Sequence, residues 1–363
     1  MRVRQVDLAK CFAIIGVLLI HASGEGLFYL EIGSRPWMQS LFWGSISRFA
    51  VPLFFLCSGA LLLGDARKVT TRHVWTRSIP HMLAALFFWA LLYRLVPVLR
   101  QGTMEKTELL RAISDVFCWR HEQHLYYLHI LLLVYAALPV TRAFAAKADE
   151  KTVRYALIFW CVTGVFFPTL RALGLFSRIE GIPKQWALNL AWASIGCTVL
   201  GWFLRKRPMR VGASIGCFVS GFFLCFAGTA LLSMKAGKLS LQLLDGLSPG
   251  AVLMAAGLFC LCGALAEKLP RWLQKIAETG GKASFCIYLV HQFALHAMKD
   301  VGITAQMGGP WWSVPVVAGA CLLLSFAAWC VLSRVPVVRR WLILPHRKEI
   351  LRWVSGFLCW RWT

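Results

Sequence analysis

The first apolar stretch of the chain carries four ionisable side chains, Asp7, Lys10, His21 and Glu25. Lys10 and His21 are eleven positions apart. In an α-helix that separation is about three turns and roughly 16 Å of rise, so both lie near one face. Asp7 and Glu25 fall close to the same stripe. An ionisable group inside a membrane span costs roughly 2.5–3.5 kcal/mol on insertion scales, so such groups turn toward an interior cavity. An imidazole titrates near neutrality, which suits it to accept and return a proton. The residues alone also admit plainer roles. Lys10 can snorkel to headgroups, Asp7 can cap the helix start, and His21 can be a hydrogen-bonded structural imidazole.

Three further stretches hold polar groups inside apolar surroundings. In the second block, Arg48 is followed by Pro52 and then by Ser58 and Gly59. Pro52 should kink the helix and free a carbonyl, and Ser58 and Gly59 permit close helix approach. Arg48 needs an anion, either Asp7 or Glu25 within the protein or an anionic substrate. The fourth block opens with His121, Glu122, His124, Tyr126 and His129. His121 and His124 could share a helical face, but no established zinc spacing is present and no metal is expected. Interfacial side chains edging the outer mouth of a cavity are the better reading. In the ninth block Ser284, Tyr288 and His291 lie at spacings of four and three and form one polar face. Interhelical hydrogen bonding is their simplest role.

The elements that position these groups follow from composition. The 363 residues are 58% hydrophobic and 15% charged, with mean hydropathy +0.64. A soluble domain of this length needs far more charge to cover its surface. The apolar residues fall in blocks near 8–28, 38–63, 79–99, 123–141, 153–171, 186–204, 211–233, 249–267, 283–299 and 311–333. Each is long enough to cross a hydrocarbon core of about 30 Å as a helix. The expected fold is an all-α integral membrane bundle of about ten transmembrane helices over residues 1–334. A basic, Trp-rich tail over 335–363 is expected to lie on the inner membrane face and contact anionic lipid. A short helix is expected in the longest outer loop, around 108–117.

The net charge of +23 raises the possibility of a nucleic-acid partner. The distribution argues against one. Lys and Arg concentrate in alternate loops, around 67–77, 142–154, 205–210 and 268–282, and in the tail. That is the positive-inside pattern, and it predicts both termini in the cytoplasm. The first block is a poor cleavable signal sequence, because Asp7 and Lys10 intrude on it and its core ends in His21. Nearly all of the 13 cysteines sit in apolar blocks, where thiols behave as small hydrophobes, so no disulfide framework is expected.

Taken together, these stretches resemble the acyltransferase-3 family of membrane O-acyltransferases. The family's first helix carries an Asp, a basic residue three positions on, ten intervening residues and then His, which is similar to Asp7, Lys10 and His21. Its second-span pattern resembles Arg48, Pro52, Phe54, Phe55, Ser58 and Gly59, and its following basic stretch resembles Arg72, Arg77 and Pro80. His124 through Leu128 and Ser284 through His291 are similar to two later motifs. Lys at 10 in place of Arg and Cys at 286 in place of Gly are the main departures.

The resemblance implies a stand-alone, multi-pass enzyme of the bacterial inner membrane with no bound cofactor. It implies transfer of an acyl group, usually acetyl from cytoplasmic acetyl-CoA, to a sugar hydroxyl of a surface or lipid-linked glycan. On that basis Arg48, Arg72 and Arg77, with Arg67 and Lys68 nearby, are donor-binding candidates. His21 is the general base or acyl carrier, with Lys10 and Asp7 beside it. Glu25, Ser58, His124, Tyr126, Ser284, Tyr288 and His291 line the cavity or the acceptor side. The competing reading is a non-enzymatic transporter or flippase for a lipid-linked anion; thioester turnover by purified protein separates the two. A polyprenyl-phosphate glycosyltransferase fits less well, because the outer loops are poor in carboxylates.

Overall fold

The computed structural model describes residues 3–64, 70–100, 106–175 and 185–343. All regular structure among them is helical. The main elements are α1 (Arg4–Tyr29), α2 (Arg35–Ile46), α3 (Ala50–Leu62), α4 (Thr71–Arg100), α5 (Lys106–Phe117), α6 (Gln123–Lys147), α7 (Glu150–Ala172), α8 (Leu190–Lys206), α9 (Val211–Ala236), α10 (Pro249–Leu265), α11 (Arg271–Asp300) and α12 (Pro310–Leu332). Local chemistry sets several starts. Ser34, Asp149, Asn189 and Ser248 each accept a backbone N–H three residues on, which satisfies one of the orphan donors of a first turn. Pro36, Pro249 and Pro310 stand where a missing N–H costs nothing.

Every expected apolar block coincides with a helix. Among the described residues, eight segments are long and apolar enough to cross a membrane: α1, the α2–α3 segment, α4, α6, α7, α9, Gln242–Leu265 and α12. The chain is a multi-pass membrane protein. Two blocks fall short of that criterion for different reasons. α8 has 17 residues, about 26 Å of helix. α11 has 30 residues, but its first turns carry Arg271, Lys275, Glu278 and Lys282, and polar side chains interrupt its apolar half. The outer-loop helix expected at 108–117 is α5.

α1 is the central element, packed against α2, α3, α10, α11 and α12. Backbone-to-backbone contact pins α3 to α8. A Cβ on Gly59 would fall 1.7 Å from the Thr198 carbonyl oxygen, and one on Gly201 2.2 Å from that of Leu56. Gly59 thus fills the packing role expected of it. Ser58 donates to Phe54 O of its own helix at 2.9 Å and also stands within hydrogen-bond reach of Tyr127 on α6.

Polar contacts sort the helix ends onto two faces. Arg4 pairs with Glu267, and Glu150 with Arg154 and Arg207. Arg142 donates to Leu62 O, and Arg205 to Ala60 O at 2.6 Å, so two cations close the C-terminal end of α3. At the opposite end Lys299 meets Glu25 at 2.7 Å, Arg100 meets Asp300, and Trp43 Nε1 donates to Trp311 O at 3.2 Å. The first residues of the tail fold back on α4. Trp89 Nε1 donates to Leu342 O at 3.1 Å, Trp341 stacks on His81, and Ile343 is fully buried. Trp353, Trp360 and Trp362, with residues 344–363 generally, lie outside the described residues, as do Arg67 and Lys68.

Candidate active site

α1 and α11 run parallel, and the polar stripe of α1 meets α11 along its length. Near the basic end Gly281 packs on Asp7, where a Cβ would come 3.0 Å from Oδ1, and the Cys11 thiol donates to Ala277 O at 3.2 Å. Further along, His21 meets His291 and Gln292, and beyond them Glu25 meets Lys299. Asp7 is therefore not the helix cap. Val3 holds that position without a side-chain bond, and Asp7 sits in the first turn, half-buried against α11. Lys10 is half-buried and within electrostatic reach of Cys57 on α3.

Three imidazoles from three helices converge midway. The His21 and His291 ring centroids are 5.0 Å apart, and those of His291 and His124 5.1 Å. His291 Nδ1 donates to Tyr288 O at 2.6 Å, which fixes its tautomer and leaves Nε2 an acceptor. That Nε2 and the Nε2 of His124 are buried and have no hydrogen-bond partner among the described residues. Tyr288 Oη donates to His124 O at 2.6 Å and ties α11 to the start of α6. Tyr93 stacks flat on Phe293 at 3.8 Å and donates to Leu289 O, closing the cluster from the α4 side. His21 lines a pocket of ≈180 Å³, together with Glu25, Gln292, His296, Lys299 and Thr304; His124 and His291 do not line it.

Arg48 sits where the second span breaks. Pro52 cannot donate to residue 48, and the preceding turns tighten: Arg48 N bonds Ser45 O at 3.1 Å, and Ala50 N bonds Ser47 O at 3.0 Å. The kink expected at Pro52 is thus a helix break at residues 47–49. Arg48 Nε donates to Gly44 O at 3.1 Å. Among the described residues no carboxylate lies within ion-pair distance of it, so neither Asp7 nor Glu25 is its partner. Its electrostatic neighbours are His21, Tyr126, Cys225 and Asp245. Tyr126 thus belongs with Arg48 rather than with the histidines. Ser58 lies by Tyr127, whose ring reaches Tyr288 at 5.4 Å. Ser284 is buried and donates to the carbonyl of Gly281, the residue packed on Asp7.

Two groups stand apart. Arg72 and Arg77 are exposed at the start of α4. A π-helical turn over Val74–Ser78 brings residues five apart nearer one face than an α-helix would. His121 and His129 pair with each other, Nε2 to Nε2 at 2.7 Å beside Trp119. His124 does not share their face. Among the described residues no group of side chains is arranged to hold a metal ion.

The sequence profile of the acyltransferase-3 family, described as an acyltransferase domain, matches residues 3–330. The chain belongs to the acyltransferase-3 family. The match takes in all three helices that carry the histidine cluster, and membership makes the protein a membrane acyltransferase. Comparison with curated protein sequences and with solved structures returned no match. Of the residues the sequence motifs named, the structure brings His21, His124, Tyr288 and His291 together. The motifs did not name Gln292, Tyr93, Asp245 or Lys299, which stand beside them or beside Arg48. Gln292 was visible as a second polar residue beside His291 in an apolar run. Tyr93 carried no signal, because its role depends on a ring stacking from another helix.

Proposed function

We propose that this membrane acyltransferase moves an acyl group, acetyl in the simplest case, from cytoplasmic acyl-CoA to a sugar hydroxyl of a surface or lipid-linked glycan in a bacterial inner membrane. The observation that carries the reading is His21, set on the polar stripe of the central helix and lining a pocket. Arg72 and Arg77 hold donor phosphates through charge-assisted hydrogen bonds. The pantetheine arm follows the stripe from Lys10 toward His21. Glu25, His296 and Thr304 offer the acceptor sugar donors and acceptors. The spans number ten with both termini cytoplasmic; the alternation of basic loops and the grouping of those helix ends on one face support that orientation.

Two routes use the same nitrogen. In the direct route His21 Nε2 takes the proton of the acceptor hydroxyl as its oxygen bonds the thioester carbon. The C–S bond then breaks, and the imidazolium returns the proton to the departing CoA thiolate. In the covalent route Nε2 attacks the thioester carbon first and CoA leaves as the thiolate; the hydroxyl oxygen then takes the acyl group, the acyl–Nε2 bond breaks, and the hydroxyl proton goes to the CoA thiolate. Arg48 stands close enough to His21 to favour negative charge on the carbonyl oxygen in either route. The test is His21→Gln in membranes, with protein level measured beside acyl transfer from labelled acyl-CoA. Loss of this group should lower transfer by about 100- to 10,000-fold. Transfer at roughly a tenth of wild type or more, at a normal protein level, would make His21 structural.

A further inference from the structure

Gln292 stands against one ring nitrogen of His21 and lines the same pocket. Its amide nitrogen Nε2 lies 2.9 Å from His21 Nδ1, and a half-turn of the amide puts Oε1 in the same place. The other groups around the ring are committed elsewhere or have the wrong chemistry. His291 of α11 uses its Nδ1 on Tyr288 O. Arg48, between α2 and α3, has donors only. Glu25 of α1 is paired with Lys299, and His296 and Lys299 of α11 line the pocket beyond the ring. α10 and α12 carry no charged side chain, and Cys321 of α12 is turned to His291 O at 3.4 Å.

The two ends of an amide are alike in shape and opposite in chemistry. With its nitrogen toward His21, Gln292 donates to Nδ1 and drives the ring proton onto Nε2, where it blocks both routes of acyl transfer. With Oε1 toward His21, it accepts from Nδ1–H and leaves a lone pair on Nε2. We propose that Gln292 is a positioning residue for acyl transfer, whose Oε1 holds the proton of His21 on Nδ1 and so leaves the lone pair on Nε2. The inference rests on His21 acting as base or acyl carrier. When Nε2 takes the hydroxyl proton, Nδ1–H goes on donating to the same Oε1, so nothing has to turn during the step. A neutral amide also selects the tautomer without strongly favouring the imidazolium. The ring therefore still gives its proton to the leaving thiolate.

The test compares Gln292→Leu, Gln292→Glu and His21→Gln with wild type, reading turnover, donor KM and the pH profile. Gln292→Leu should lower turnover about 10- to 100-fold, the usual range for losing the partner that orients a working histidine, with donor KM nearly unchanged. Gln292→Glu should stay active with the acid limb of its profile moved up by about one pH unit or more. A carboxylate on Nδ1–H favours the imidazolium, so the base form is reached only at higher pH. Turnover of Gln292→Leu within about twofold of wild type would overturn the proposal, as would an unmoved acid limb in Gln292→Glu. If Gln292→Leu fails to accumulate, the profile of Gln292→Glu decides alone. An active His21→Gln would instead sink the reading of His21 itself. An inactive His21→Gln beside a fully active Gln292→Leu would leave that reading standing and remove only the positioning role.

Discussion

Two groups of histidines occupy the same protein under opposite conditions. At the rim, His121 and His129 satisfy one another at 2.7 Å beside Trp119 and stay within reach of water. In the interior, His291 and His124 are walled in by Tyr93, Tyr288 and Phe293, and each leaves a ring nitrogen without a partner among the described residues. Burying an unmade hydrogen bond costs on the order of 1–3 kcal/mol, so a fold has reason to avoid it. A pair that closes on itself is complete as it stands. An interior cluster that keeps open valences beside a pocket-facing imidazole carries a stability cost that packing alone does not explain. Such costs gather at functional sites.

Matched substitutions test that contrast. His291→Ala should lower acyl transfer about 10- to 100-fold, because it removes the ring against which His21 is set. The check is turnover per unit of membrane-inserted protein, and near-normal turnover would make the inner cluster as passive as the outer pair. Replacing Arg72 and Arg77 together with Gln should raise the apparent KM for acyl-CoA by about tenfold, the equivalent of one charge-assisted hydrogen bond. Turnover at saturating donor should change less, and the defect should shrink in high salt. If only turnover fell, the basic face would belong to folding or to the chemistry. The smallest effect belongs to the rim. His129→Ala should leave transfer within about twofold of wild type, because surface changes mostly stay within about 0.5 kcal/mol. A defect rivalling that of His291→Ala would erase the distinction.

The sequence made the spans legible because a lipid-crossing helix leaves little freedom in composition. α8 and α11 escaped the same criterion, one because it is short and the other because α11 spends its polar residues on the site. The stripe of α1 was readable from helical arithmetic. Its partner was not, since nothing in residues 4–29 says that the facing helix comes about 270 residues later. The arithmetic failed outright at His121, His124 and His129. Trp119 takes φ 61°, and a 3₁₀ turn over Gln123–Leu125 precedes the α-helix proper at Tyr126. The three histidines therefore never share one regular helix, and His124 is turned inward while the other two remain outside. Arg48 shows the same limit from another side. Its place in a span signalled function, but the Tyr126 and Asp245 beside it come from elements far along the chain.

The end of α3 bears on how the protein is made. Its last carbonyls are closed by Arg142 and Arg205, which lie 80 and 145 residues beyond the groups they cap. At about 5–20 residues per second, the ribosome supplies the first about 4–16 seconds after that end emerges, and the second about 7–29 seconds after it. During that interval water and headgroups must stand in for both arginines, which keeps the end of α3 at the membrane surface while the spans that clamp it are still being synthesised. The second span is therefore threaded early and locked late. A ribosome stalled between the two arginines would leave a nascent chain whose α3 is half secured.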